Sequence, residues 1–321
     1  MNKPTIFITR KIPEELIAPF QSQFTITMWE DEKKPIPKEV LYEEALKADG
    51  LLCLITENID REFLHHASHL KIIANMAVGY DNVDIDAARE YGVTITNTPD
   101  VLTETTADLT FALLMATARR LVEASNTIYE NKWGDWSPFM LAGADVHDTT
   151  LGIVGMGRIG EAVAKRASGF NMNVLYHNRS RKEEVERALG LSYVALDDLL
   201  STSDYVVSLV PMTSETKKLF NQEAFHKMKT SAIFINASRG GVVDEAALFD
   251  ALKHGHIRAA GLDVFQEEPI QADHPLTTLS NAVLLPHIGS ATMQTREAML
   301  KLCLENISAV FHGAKPKTPV H

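Results

Sequence analysis

The chain has 321 residues and a formal net charge of −11. That length exceeds what one hydrophobic core serves and predicts two domains. The acidic balance excludes nucleic acid as a partner, because such binding relies on Lys and Arg neutralising phosphates, and it requires a locally positive pocket for any anionic substrate.

An apolar fraction of 45% with 23% charged residues places the chain among ordinary globular proteins, with no tract that composition marks as disordered. The longest hydrophobic stretch, Leu109–Ala118, is closed by Asp108 and Arg119-Arg120. It is about half the roughly 20 residues that a bilayer demands, so no membrane partner is expected. The start, Met1 to Thr9, runs straight into a strand-like pattern and carries no signal-peptide design. Cys53 and Cys303 sit far apart in apolar surroundings and read as buried free thiols of a cytoplasmic protein. No metal-ligand spacing is present.

In chain order, Thr5–Thr9, Gly50–Ile55, Lys71–Asn75 and Val93–Thr96 read as strands. Pro37–Lys47 and Arg61–Ala67 read as helices, the second with Asp60 as its N-cap. A single long apolar helix is expected from Thr105 to about Asn131. Beyond Asp148 come short buried strands at Leu151–Val154, Asn173–Tyr176, Tyr205–Val210, Ala232–Asn236, Ala259–Val264 and Ala282–Leu285, with helical patterns between several of them. Strand–helix–strand alternation predicts an α/β fold with doubly wound parallel sheets. The tail Lys315–Pro319 reads as a frayed terminus.

The segment Leu151 to Gly160 is a strand running into G-x-G-x-x-G. Gly155 makes the tight turn, Gly157 lets the backbone approach a pyrophosphate, and Gly160 lets the following helix pack close to the strand. Arg158 and Ile159 complete the loop, whose helix N-terminus offers free N–H groups to phosphate. The next strand ends in Asn178-Arg179-Ser180-Arg181, where an NAD-selective site places an acid for the ribose hydroxyls. A guanidinium there suits a 2′-phosphate, so NADP(H) is the preferred cofactor and NAD(H) remains open.

Three later strands each end in polar residues. One leads to Ala237-Ser238-Arg239, one to Asp263 and then Glu268, and one to His287-Ile288-Gly289-Ser290. Ligands of a parallel sheet bind beyond the carboxyl ends of its strands. Reduction of a 2-oxo acid needs a cation for the carboxylate and carbonyl, a role for Arg239, and a general acid near neutrality, a role for His287. Glu268 is the carboxylate that would orient the imidazole and favour its charged form.

With these blocks in view, together with Pro286–Thr292, the chain resembles the D-isomer-specific 2-hydroxyacid dehydrogenase family over essentially its whole length. Within it the nearest likeness is to glyoxylate/hydroxypyruvate reductases, including relatives that reduce 2-ketogluconate. The family's catalytic arginine, glutamate and histidine fall on Arg239, Glu268 and His287. The resemblance implies two Rossmann-like domains: a discontinuous substrate domain, 1–100 plus 288–321, and an inserted nucleotide domain, 101–287. It implies a homodimer, a substrate-carboxylate loop at Ala77, Val78 and Gly79, and a Trp at position 136 that enters the partner's site. Cofactor contacts are further expected at Pro211, Thr216, Ala237, Ser238, Asp263, Gly289 and Ser290, with Arg239 and His287 shared between cofactor and substrate. Two rival readings stand beside this one. A dinucleotide-sensing, corepressor-like regulator would keep the fold without turnover, and an NAD-dependent phosphoglycerate-type dehydrogenase would share the chemistry.

Overall fold

Strong alternation of β-branched and aromatic side chains with helical segments builds two parallel sheets in the computed structural model, which describes residues 3–321. The chain divides into two compact units, Met1–Leu102 with Ala291–His321, and Thr103–Ser290.

The first unit holds β1 (Thr5–Ile8), β2 (Thr25–Met28), β3 (Gly50–Cys53), β4 (Ile72–Asn75) and β5 (Thr94–Thr96), ordered β2-β1-β3-β4-β5 with every pair parallel. The strand order reverses between β1 and β3, the position where open sheets of this kind form a crevice. β2 escaped the sequence reading because Thr25-Ile26-Thr27-Met28 is a short edge strand whose residues are all at least partly exposed. Asp60 caps the helix Arg61–His66 by accepting from the Phe63 amide at 2.9 Å, as expected. Cys53 and Cys303 are free and buried, and burial pushes both thiols well up.

The tail corrects its reading. The Lys317 and Thr318 amides donate to Asn306 Oδ1, the Thr318 hydroxyl donates to the Asn97 carbonyl at 2.7 Å, and Val320 N donates to Ile95 O at 2.9 Å. The two prolines hid a segment that pairs antiparallel beside Thr96. It is anchored by the long helix Met293–Phe311 through Asn306.

The second unit holds β6 (Thr150–Val154), β7 (Asn173–His177), β8 (Ser192–Tyr193), β9 (Tyr205–Ser208), β10 (Ile233–Asn236), β11 (Ala259–Leu262) and β12 (Ala282–Leu284), ordered β12-β11-β10-β9-β6-β7-β8, all parallel. Successive residues feed opposite faces. Tyr205, Val207, Ile233 and Ile235 enter one core with the helices Thr103–Ala118 and Arg158–Ser168, while Val206 and Phe234 enter the other with Phe225 and Leu248. Apolar residues on both faces are what a doubly wound sheet needs.

The single long helix expected from Thr105 is in fact two, Thr103–Ala118 and Leu121–Tyr129. Arg120 between them adopts a left-handed φ of 52°, which interrupts the helical ladder. Apolar residues on both sides of the break made the pattern look continuous. No described helix is long and apolar enough to cross a membrane.

Candidate active site

In the second unit the strand order reverses between β6 and β9, and the glycine loop follows β6. Two of its glycines answer to the protein's own packing. Gly155, at φ +104°, lies against the Leu209 backbone, where an added Cβ would come within 2.6 Å, and a Cβ on Gly160 would overlap the Gly155 carbonyl. Gly157 differs. It caps the helix Arg158–Ser168 in extended conformation and faces open space. Nothing in the fold demands glycine there, whereas a phosphate laid on the helix N-terminus does, so the loop fits a dinucleotide. Ile159 packs on the core, and Arg158 begins the helix.

The basic turn after β7 separates into distinct roles. Arg181 makes a paired contact with Glu186, 2.8 Å at both nitrogens, and Glu186 also accepts from the Tyr176 hydroxyl. Those bonds hold the Glu186 carboxyl down at about 2. Arg179 and Ser180 are exposed on the turn, and the Asn178 side-chain amide donates to the Ser180 carbonyl at 3.0 Å. Beyond β9, the Thr216 hydroxyl donates to the Pro211 carbonyl at 2.6 Å and closes that loop.

Arg239, Asp263, Glu268 and His287 follow the neighbouring strands β10, β11 and β12. His287 Nδ1 lies 2.6 Å from Glu268 Oε2, and Glu268 Oε1 accepts from the Phe265 amide at 2.9 Å. Burial alone would raise the Glu268 carboxyl. The His287 hydrogen bond and charge, the Phe265 amide and the Arg239 guanidinium outweigh it and hold the group below its ordinary value. The carboxylate is therefore ionised and engages Nδ1, leaving Nε2 as the ring nitrogen available to a substrate.

His287 itself sits at φ +54°, a left-handed conformation that costs a bulky residue about 1 kcal/mol or more. Asp263, only 1% exposed, holds the next residue by accepting from the Ile288 amide at 2.8 Å. Burial pushes the Asp263 carboxyl up despite that amide and the nearby imidazole. Gly289 packs beside it, where a Cβ would come 3.2 Å from Asp263 Oδ2.

Arg239 is held from behind. Asn236 is fully buried, its Nδ2 donates to the Arg239 carbonyl at 2.9 Å, and its Oδ1 accepts from both the amide and the hydroxyl of Ser238. The Ser238 hydroxyl also meets that of Ser208 at 3.2 Å. Gly240 lies directly on the Phe265–Gln266 peptide, where any Cβ would overlap backbone. The loops that carry Arg239 and Glu268 are thus in backbone contact. In the sequence Asn236 stands only as the last residue of the strand Ala232–Asn236. The signal that could have marked Asn236 is the one used for its neighbours, a polar residue ending an apolar strand.

The other expected positions stand elsewhere. Ala77, Val78 and Gly79 follow β4 in the first unit. Trp136 is 79% exposed in the segment after the helix Leu121–Tyr129, together with Trp133 and Phe139, and the helix's last residue, Tyr129, is exposed as well.

Residues 111–289 match the family described as D-isomer specific 2-hydroxyacid dehydrogenase, NAD binding domain. A glyoxylate reductase from Korarchaeum cryptofilum is 49% identical, over 99% of this chain and 96% of its own length. The chain belongs to the D-isomer-specific 2-hydroxyacid dehydrogenase family. Among solved structures, a Thermus thermophilus protein superimposes with a TM-score of 0.92 at 43% identity, covering 99% of this chain and 100% of that one. An NADPH-dependent glyoxylate/hydroxypyruvate reductase from Sinorhizobium meliloti, in complex with NADP and malonate, gives a TM-score of 0.85 at 32% identity, covering 99% and 97%. As a member of the family the chain is an NAD(P)-dependent oxidoreductase acting on small molecules, with two Rossmann-like units.

Proposed function

We propose that this dehydrogenase reduces glyoxylate and related small 2-oxo acids, hydroxypyruvate and 2-ketogluconate among them, to D-2-hydroxy acids, with NADPH preferred over NADH. The observation that carries the reading is the Glu268–His287 contact of 2.6 Å at a strand end next to the Arg239 loop. The identity to glyoxylate reductases supports the substrate class. The exposed Arg179 in place of an acid supports NADPH.

The Gly155–Gly160 loop would hold a nicotinamide dinucleotide, which when bound would supply a hydride for reduction of the carbonyl carbon. The protein's residues do the remainder. Arg239 holds the substrate carboxylate and polarises the carbonyl oxygen as negative charge grows there. His287, protonated, gives its Nε2 proton to that oxygen, and in the reverse direction neutral His287 takes it back. Glu268 keeps Nδ1–H in place so that Nε2 is always the working nitrogen. Asp263 positions the backbone beneath His287. Within the substrate-binding unit, the reading assigns carboxylate binding to the loop Ala77, Val78 and Gly79.

We also propose a cytoplasmic homodimer joined through the nucleotide-binding units, with Trp136 reaching the partner's site. The exposed run Leu121, Ile128, Tyr129, Trp133, Trp136 and Phe139 is the kind of patch that a monomer rarely leaves in water.

The test is initial-rate assay of glyoxylate, hydroxypyruvate and 2-ketogluconate with NADPH and with NADH, repeated with His287→Ala and Arg239→Lys. Turnover that falls by about 10²-fold or more in His287→Ala supports the assignment. No turnover of any 2-oxo acid by the unaltered chain would instead favour a dinucleotide-sensing regulator.

A further inference from the structure

The loop after β4 is held by an unusual division of its backbone groups. The Ala77 carbonyl accepts from the Thr98 amide at 2.8 Å, the Val78 carbonyl from Asn97 Nδ2 at 2.8 Å, and the Gly79 carbonyl from Asn75 Nδ2 at 3.0 Å. A trans peptide is planar, with its N–H pointing opposite to its C=O. Each carbonyl so fixed turns the N–H of its own peptide away from the donor, and the amides concerned, those of Val78, Gly79 and Tyr80, have no acceptor among the described residues. Successive backbone N–H groups without a protein acceptor are donors available to an anion.

The donors are themselves immobilised. Asn75 is fully buried at the end of β4 and also donates to Asn82 Oδ1 at 3.2 Å. Asn82 in turn donates to the carbonyls of Leu54 and Glu57. Asn97 is gripped through its own backbone, its carbonyl accepting from the Thr318 hydroxyl and its amide donating to the Thr318 carbonyl at 3.3 Å.

We propose that Asn97, assisted by Asn75, is a positioning residue for the substrate carboxylate: it turns the Val78 peptide so that the Gly79 N–H faces the anion. The inference rests on the assignment of this loop to carboxylate binding. It adds that specificity for a carboxylate over a neutral amide is set from behind the loop, by an asparagine that never touches the substrate. Without the Asn97 donor the Val78 carbonyl is free to rotate, and a rotated peptide would present an oxygen to the carboxylate.

The experiment compares glyoxylate with its neutral amide, using unaltered enzyme, Asn97→Ala, Asn97→Leu, which is similar in size and lacks the donor without adding a charge, and Asn97→Ser, which keeps a hydroxyl donor. Asn97→Ala and Asn97→Leu should each raise KM for glyoxylate roughly tenfold, the effect of weakening one charge-assisted hydrogen bond. Their KM for the amide and their dissociation constant for the reduced cofactor should be nearly unchanged. Asn97→Ser should recover part of the lost discrimination. A residue that only stabilised the fold would lower Tm and weaken both substrates alike. If the unaltered enzyme turns over glyoxylate and the Asn97 variants keep its carboxylate-over-amide ratio, the inference is overturned. If the unaltered enzyme turns over no 2-oxo acid, it is the proposed function that fails. Should Asn97→Ala not fold, the Asn97→Leu arm gives the same two readings.

Discussion

Replacing Glu268 with Gln separates the charge of the carboxylate from its shape. The Phe265 amide can still donate to the Gln oxygen, as it now does to Glu268 Oε1 at 2.9 Å. The amide nitrogen then faces His287 Nδ1 where an ionised oxygen stood at 2.6 Å. Both side chains reach water, with 31% of Glu268 and 28% of His287 exposed, so solvent screens the pair and the high-dielectric figure sets a minimum for it. A unit pair at contact is worth about 1 kcal/mol there, against about 4 in a less solvated setting. Taking about 1 kcal/mol, the lost contact is worth roughly fivefold in the reductive rate where the proton is limiting.

The direction follows from the charges. Glu268 is held below its ordinary value and is ionised throughout the working range, so its removal takes a favourable partner from the protonated imidazole. Reduction, which needs that proton, should fail at lower pH in Glu268→Gln than in the unaltered enzyme. Oxidation should suffer differently. A Gln N–H donating to Nδ1 places the ring proton on Nε2 and removes the base, so oxidative kcat should drop by about 10²-fold or more at every pH. The assay is kcat against pH in both directions at saturating cofactor. A reductive limb that does not move, with oxidation intact, would refute the coupling between Glu268 and the proton donor.

Arg179→Ala should reduce the preference for NADPH over NADH by about tenfold or more, the contribution of one charge-assisted contact. Arg181→Ala, whose guanidinium is already engaged by Glu186, should leave the ratio in place; equal losses in kcat/KM would refute the distinction. Light scattering at micromolar concentration should give a dimer, and Trp136→Ala should raise KM with little change in cofactor affinity; a monomer would remove the basis for the partner contact. Asp263→Asn keeps an acceptor for the Ile288 amide and relieves a buried charge. Because burial raises the Asp263 carboxyl in the fold, the variant should be more stable in urea at about pH 7, and its advantage should shrink toward about pH 4 as Asp263 gains a proton. Its kcat should fall as the support beneath His287 weakens, so unchanged kcat would count against that role.

Much of this protein was legible along the chain because its signals are local. Strands buried on both faces read as short apolar runs, the spacing Gly155, Gly157 and Gly160 carries the geometry of a phosphate loop, and polar residues that end apolar strands identify a parallel sheet's working edge. Signals that depend on distant partners were silent. Thr25–Met28 is a strand only because β1 lies beside it, and the proline-rich tail is ordered only because Asn306 and Asn97 accept its hydrogen bonds. Arg120 breaks a helix whose apolar pattern runs on through it. Arg179 and Arg181 are equivalent as letters, and only the position of Glu186 distinguishes them. The asparagines show the limit most clearly. Asn75, Asn97 and Asn236 are ordinary polar residues in sequence, and their role consists entirely of which carbonyl each one faces, a matter decided when separate strands and loops pack.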